Sequence, residues 1–104
     1  MAQGRKINLY GFCGLAKPVS FRNTLKEAGF NLTGFKQFQD HYAYAYDEVV
    51  ALIAEARLSG AKGLITTQKD YVKLATMHVD FPVFSLRVEL IPEPGFDDFI
   101  LTRI

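Results

Sequence analysis

The 104-residue sequence has few of the residues on which disulfide-rich and metal-binding proteins depend. Its single cysteine, Cys13, cannot close a disulfide within the chain, and with only two histidines it gives no zinc-ligand spacing. A lone cysteine is typical of a protein in a reducing compartment. We therefore predict neither a disulfide framework nor a metal site.

Long apolar runs and an excess of one charge are also missing. No run approaches the roughly 20 apolar residues that span a bilayer, and residues 1–6 lack the apolar core of a signal peptide. Twelve basic against eleven acidic side chains leave a net charge of +1, which argues against a strongly basic nucleic-acid-binding protein. We therefore expect a soluble chain that binds no nucleic acid.

The composition that remains is that of an ordinary globular domain. Hydrophobic residues make up 49% and charged residues 22% of the chain, and nine Phe with five Tyr supply the bulk for a compact core. The length suits one domain. The basic side chains are concentrated in residues 1–36, where Glu27 is the only acid, so this stretch is either a solvated surface or a surface that faces anions. The basic residues of this stretch are Arg5, Lys6, Lys17, Arg22, Lys26 and Lys36.

Apolar runs alternate with helical periodicities along the whole chain, which is the α/β pattern. Helices are predicted to begin near Pro18, Asp47 and Thr67. We predict a β-α-β-α-β-α-β order: a small three-layer sandwich, a Rossmann-like half, with a mostly parallel sheet of about four strands and helices on both faces. The last strand is predicted to be an edge or half-covered strand, because its apolar and polar residues alternate. The four strands are predicted over residues 7–12, 30–38, 61–67 and 83–91.

In such sheets, polar functional groups gather at the carboxyl ends of the strands, where helix N-termini also point. Three loops are predicted there, over residues 14–18, 40–44 and 66–70. The first resembles a phosphate-binding loop but lacks its chemistry. Ala16 stands where a glycine is needed and Pro18 where a magnesium-binding hydroxyl is needed, so a tight strand-to-helix turn explains this loop better.

The other two loops carry the candidate chemistry. His41 can exchange a proton near neutral pH, and a carboxylate such as that of Asp40 can select which ring nitrogen carries it, although neighbours in a loop need not touch. The loop at 66–70 offers two hydroxyls, an ammonium and a carboxylate, which suit an anion-binding or hydroxyl-binding ledge. A capping role of Thr67 and Asp70 explains two of these residues equally well. A structural role therefore remains open for both loops.

The loops and their flanking residues, taken in order, resemble the C-terminal domain of the tetraacyldisaccharide 4′-kinases, the lipid A 4′-kinases of Gram-negative bacteria. The resemblance extends from about Lys6 to Ile91, and it is specific because four motifs keep their order and spacing. The motifs are Phe12-Cys13-Gly14-Leu15-Ala16-Lys17-Pro18, then Phe21 with Thr24-Leu25, then Gly34-Phe35 with Phe38 and Asp40-His41-x-x-Tyr44, then Thr66-Thr67-x-Lys69-Asp70.

This resemblance implies an enzyme that transfers the γ-phosphoryl group of ATP, with Mg²⁺, to the 4′-hydroxyl of a lipid A disaccharide 1-phosphate precursor at the cytoplasmic face of the inner membrane. It also implies that ATP and Mg²⁺ are bound mainly by a preceding P-loop domain outside these residues, which would be the partner of this chain together with the lipid substrate and a peripheral membrane contact. The chain alone is then expected to be inactive and to bind neither cofactor.

By the same resemblance, Asp40 and His41 are the expected catalytic residues, with His41 approaching a catalytic aspartate of the missing domain. The expected substrate or nucleotide cleft is lined by Tyr44, Thr66, Thr67, Lys69 and Asp70.

Three positions depart from the family pattern. Lys17 stands where Asn is common and Gln68 where Glu is common, and Ala45 replaces the usual capping Ser or Thr. The loss of Glu at position 68 weakens the case for a charged ledge. Two alternatives therefore stay open, namely a non-enzymatic α/β module that binds a partner or an anionic ligand, and a small free-standing enzyme.

Overall fold

The computed structural model describes the backbone of residues 7–90 and 97–103 and the side chains of residues 7–86. Strands and helices alternate along residues 7–90, as the sequence predicts, and a strand at Asp97–Arg103, which was not predicted from the sequence, follows them. Their bounds are β1 Asn8–Cys13, α1 Pro18–Glu27, β2 Asn31–Gln37, α2 Tyr46–Leu58, β3 Gly63–Thr67, α3 Gln68–Leu74, β4 Val83–Leu90 and β5 Asp97–Arg103. Ile91, the last residue of the predicted fourth strand, lies outside the described residues.

The strands form one sheet in the order β2-β1-β3-β4-β5. The pairs β1–β2, β1–β3 and β3–β4 are parallel, and β5 pairs with β4 in the antiparallel sense. The predicted mostly parallel α/β sheet is therefore confirmed. The prediction of β4 as an edge strand was wrong, because β5 pairs with it from Phe84 to Leu90. Ser85, one of its alternating polar residues, is buried.

Three layers are built from the buried faces of the helices. On one side of the sheet α1 packs Phe21 and Leu25 against Leu9 and Ile65. On the other side α2 and α3 pack over a second cluster, because the apolar residues of α2 recur at helical spacing. Its residues are Tyr10, Phe12, Tyr44, Val49, Leu52, Ile53, Ala56, Ala61, Leu64, Leu74 and Val83.

The helix boundaries follow from local chemistry in the way the sequence predicts. Pro18 occupies the first turn of α1, where its missing N–H costs nothing. Gly29 and Gly60, just beyond α1 and α2, have φ angles of +94° and +88°, which glycine adopts without strain. The Thr67 hydroxyl accepts the N–H of Asp70 at 3.1 Å and caps α3.

The strand order creates a topological switch point between β1 and β3. These strands are neighbours, yet the helices that follow them, α1 and α3, lie on opposite faces of the sheet. In open α/β sheets the crevice at the carboxyl ends of such strands is the usual ligand site. None of the helices within the described part of the chain has the length and apolar character that crossing a membrane requires.

Candidate functional site at the carboxyl edge of the sheet

The switch-point crevice is filled by the chain's own carboxylate. Asp70, in the first turn of α3, is fully buried. Its Oδ2 accepts the backbone N–H of Gly14 at 3.0 Å and the hydroxyl of Thr67 at 2.8 Å, and its Oδ1 accepts the hydroxyl of Tyr44 at 3.1 Å. One carboxylate therefore ties together the segments that follow β1, β2 and β3.

Gly14 is required for this closeness. A Cβ atom on Gly14 would lie 2.8 Å from the carbonyl oxygen of Gln39 and 3.3 Å from Asp70 Oδ1, and real Cβ atoms do not approach a carbonyl oxygen so closely. The absence of a side chain at position 14 lets the loop after β1 lie against the loop after β2 and the start of α3.

The buried carboxylate changes the acidity of two neighbouring groups. Burial, reinforced by the charge of Asp70, raises the pKa of the Tyr44 hydroxyl far above its usual range. This hydroxyl therefore stays protonated and donates a hydrogen bond to Asp70. Burial is also the main cause that raises the pKa of the Cys13 thiol to about 11. Neither group is poised to exchange protons at neutral pH.

Lys73 compensates the charge of Asp70 and reaches the neighbouring loop. It lies one turn after Asp70 on α3, with its Nζ 3.6 Å from Asp70 Oδ1. The same ammonium donates a hydrogen bond of 2.7 Å to the carbonyl oxygen of Tyr42 and lies 5.7 Å from the centroid of the Tyr44 ring. Lys73 therefore joins the buried carboxylate to the backbone of the loop between β2 and α2.

An aromatic cluster supports that loop from below. The rings of Phe38, Tyr42 and Tyr44 all contact one another, with centroids 4.9 to 5.2 Å apart. Tyr44 also packs edge-on against Phe12 at 5.5 Å. The presence of Tyr42 and Tyr44 in this loop is thus explained by aromatic packing.

The start of α2 holds the end of the loop through one acidic side chain. The carboxylate of Glu48 accepts the hydroxyl of Tyr42 and, at 2.9 Å, the backbone N–H of Ala45. The second contact ties Ala45, which has no capping oxygen of its own, to the first turn of the helix.

The exposed layer of the edge consists of three charged or ionisable side chains. His41 is 73% exposed, and its Nε2 lies 3.7 Å from Asp40 Oδ2, which is too far for a hydrogen bond. Asp40 Oδ1 lies 3.9 Å from the Nζ of Lys69. The imidazole therefore projects into solvent, next to a carboxylate that is shared with an ammonium.

His41 also has an unusual backbone. Its φ of +61° lies in the left-handed region, and it is the only residue other than glycine in the described part of the chain with a positive φ. Histidine is one of the few side chains enriched there, although the conformation still carries strain. The contacts of Tyr42 on one side hold the loop in this shape.

The structure divides the sequence-predicted site residues into two groups. Asp40, His41 and Lys69 lie together on the surface of the edge. The remaining residues lie beneath it: Asp70, Tyr44 and Thr67 form the buried hydrogen-bond network, and the buried hydroxyl of Thr66 has no partner among the described residues. Their predicted contact with a substrate or nucleotide stays a prediction.

The sequence did not predict two residues that hold the edge together. Gly14 belongs to the first motif, but its contact with Asp70 was not predicted, and Lys73 was not singled out. The spacing of Lys73 three residues after Asp70 on a helix is the one signal that could have found it.

Two observations bear on phosphate and metal binding at the edge. No three His, Cys, Asp or Glu side chains among them come together in a way that could hold a metal ion. The N–H of Gly14, the donor that a phosphate at the switch point would need, is already taken by Asp70.

Fold and edge together define a doubly wound α/β domain with an exposed histidine above a buried polar network. Comparison of sequences then identifies the family: the model of the family described as Tetraacyldisaccharide-1-P 4′-kinase matches residues 1–104. The chain belongs to this family, so the resemblance carried by its four motifs is confirmed. No solved structure matches the chain significantly.

The curated relatives agree with this assignment. A tetraacyldisaccharide 4′-kinase of Desulfotalea psychrophila is 38% identical over 93 residues, which are 89% of this chain and 27% of that protein. The enzyme of the same name from Rickettsia canadensis is 39% identical over 83 residues, or 80% of this chain and 25% of that protein. The chain thus spans about a quarter of the length of the curated relatives it matches.

Proposed function

We propose that this chain is the C-terminal part of an ATP-dependent kinase that phosphorylates the 4′-hydroxyl of a lipid A disaccharide 1-phosphate precursor. In this proposal the chain lines one side of an active-site cleft and presents His41 to a P-loop domain on the other side. The work of the enzyme takes place at the cytoplasmic face of the inner membrane, which the full-length enzyme contacts peripherally.

The observation that carries the proposal is the combination of exposure and anchoring at His41. A histidine that only stabilises a fold is normally satisfied by its neighbours, whereas His41 is 73% exposed and makes no hydrogen bond within the described residues. Its backbone is nevertheless held in a strained conformation by the buried network beneath it. Strained and well-supported residues of this kind occur at functional sites.

In this proposal the role of His41 is to orient an acidic group of the P-loop domain that accepts the proton of the 4′-hydroxyl. Such assistance needs an imidazole that can reach across a cleft, and His41 meets this requirement. The carboxylate of Asp40 lies beside the imidazole, and the ammonium of Lys69 lies on the other side of that carboxylate. In this proposal the other domain binds most of the ATP phosphates and the Mg²⁺ ion. The occupied N–H of Gly14, which donates to Asp70, supports this assignment.

We expect the chain alone to bind Mg-ATP only weakly and not to hydrolyse it. The loop after β1 has Pro18 where a phosphate-binding loop has its hydroxyl, and its Gly14 N–H donates to Asp70. Isothermal titration calorimetry of the pure chain with Mg-ATP measures this. A one-to-one site of micromolar affinity would contradict the expectation.

Complementation tests the kinase assignment directly. The N-terminal three quarters of the Desulfotalea psychrophila relative, produced together with this chain, is expected to transfer phosphate from ATP to the lipid A precursor, while neither part does so alone. The control replaces this chain by its Leu52→Ala variant, whose core cavity weakens folding by roughly 2 to 5 kcal/mol. If the chain binds the N-terminal part but no phosphorylated lipid forms, the alternative of a non-enzymatic binding module is favoured.

A further inference from the structure

We propose that Lys73 is a positioning residue for His41, acting through the backbone of Tyr42. This inference deepens the proposed function and rests on it, because it assigns a role to a side chain one step away from the imidazole. Lys73 contacts Asp70 and Tyr44, two residues of the expected cleft, from within the domain. In this proposal it makes no contact with a substrate or with the reacting atoms, so it is a positioning residue and not a catalytic one.

The first step of the argument is the location of the Lys73 ammonium. The side chain is only 27% exposed, and its Nζ lies between two acceptors, Asp70 Oδ1 at 3.6 Å and the carbonyl oxygen of Tyr42 at 2.7 Å. Asp70 is itself fixed by hydrogen bonds from the segments after β1, β2 and β3. The ammonium is therefore held by a rigid part of the sheet edge and cannot easily follow a moving loop.

The second step is the position of its acceptor. The carbonyl of Tyr42 belongs to the residue that directly follows His41, whose φ is +61°. Asp40, on the other side of His41, makes only weak contacts at the surface. Its carboxylate oxygens lie 3.7 Å from His41 Nε2 and 3.9 Å from Lys69 Nζ. Glu48 and Phe38 hold the side chain of Tyr42. The bond from Lys73 is the short, partly buried contact to the backbone of this residue, directly after His41.

The third step separates the two bonds of Lys73. If the lysine only neutralised Asp70, its effect would be on the stability of the whole domain and not on His41 in particular. If it positions the loop, then a side chain that keeps a donor for the Tyr42 carbonyl but has no charge should preserve part of the effect. Lys73→Gln keeps such a donor, Lys73→Met keeps neither function, and Lys73→Arg keeps both charge and donors.

The experiment has two arms, and the first needs no activity. Heteronuclear NOE values of the backbone amides of residues 40–42 in the 104-residue chain report the order of the loop on the picosecond to nanosecond timescale. We expect them to fall clearly in Lys73→Met, less in Lys73→Gln and little in Lys73→Arg. The control Lys62→Met, which removes an exposed lysine before β3, should leave them unchanged.

The second arm measures kinetics in the complemented enzyme. We expect Lys73→Met to lower kcat by about 5- to 50-fold with the KM for ATP nearly unchanged, because a misplaced catalytic group costs rate more than ground-state binding. Lys73→Arg should recover most of the rate. Melting temperatures of all variants identify any variant that loses its fold. If Lys73→Met does not fold, the comparison of Lys73→Gln with Lys73→Arg tests the inference instead.

Unchanged NOE values in a folded Lys73→Met variant would overturn the inference, and so would an equal loss of order throughout the domain. Failure of the proposed function looks different. In that case the NOE values still change as expected, but the complemented chains form no phosphorylated lipid, or His41→Ala leaves their activity at its original level, so the loop is ordered for a reason other than catalysis.

Discussion

Replacing His41 by alanine in the complemented two-part kinase is expected to lower kcat by roughly 10- to 1,000-fold, with a smaller change in the KM for ATP. Acid–base assistance by a side chain typically contributes about 10²- to 10⁴-fold, and a residue that orients the base should contribute no more than that. Steady-state kinetics with saturating lipid substrate and varied ATP separate the two constants.

Two further variants sharpen this result. Asp40→Asn should reduce kcat as much as His41→Ala only if the two residues act together; the 3.7 Å separation of their side chains predicts a smaller loss. Because His41 is exposed, His41→Ala should lower the melting temperature of the chain only slightly, through the poorer fit of alanine to a φ of +61°. An unchanged kcat, or a variant whose only defect is unfolding, would return His41 to a structural role.

The second large effect is expected for stability. Asp70→Ala should lower the free energy of unfolding by about 2 to 6 kcal/mol, because it leaves two buried donors and one partly buried donor without an acceptor, and each buried one costs about 1 to 3 kcal/mol. The donors are the N–H of Gly14 and the hydroxyls of Tyr44 and Thr67. The partly buried ammonium of Lys73 also loses its counter-charge. Urea unfolding of the chain, followed by circular dichroism, gives the value.

A matched control removes a carboxylate from the first turn of another helix. Asp47→Ala, at the exposed start of α2, should cost about 0.3 to 1 kcal/mol through its interaction with the helix dipole alone. A loss below about 1 kcal/mol for Asp70→Ala as well would mean that the network at the switch point does not stabilise the fold.

Much of the fold could be predicted because the determining signals are local. Pro18 at the start of α1, the glycines beyond α1 and α2, and the Thr67–Asp70 cap each depend on residues within one turn of each other. The same holds for the apolar face of α2. The placement of the three loops at one edge then follows from the parallel sheet, whatever the strand order is.

The contacts that make the edge a site are not local, and this limited the prediction. Gly14 and Asp70 are 56 residues apart, and Lys73 and Tyr42 are 31 apart, so no periodicity brings either pair together. Strand order decides these contacts, and a single sequence does not encode it in a readable pattern. The fifth strand was not predicted for a related reason. It is antiparallel to β4 and follows it without a crossover helix, so the alternation of strand and helix patterns does not indicate it.

The burial and raised pKa of Cys13 have a practical consequence for labelling this chain. Its thiol is buried, and its pKa of about 11 leaves almost no thiolate at neutral pH, so thiol reagents should react with it very slowly. Since Cys13 is the single cysteine of the chain, a cysteine introduced at an exposed site such as Gln39 would carry a fluorophore or spin label alone. Distances measured from that label would report whether the position of the His41 loop changes when the chain binds the N-terminal part that we propose as its partner.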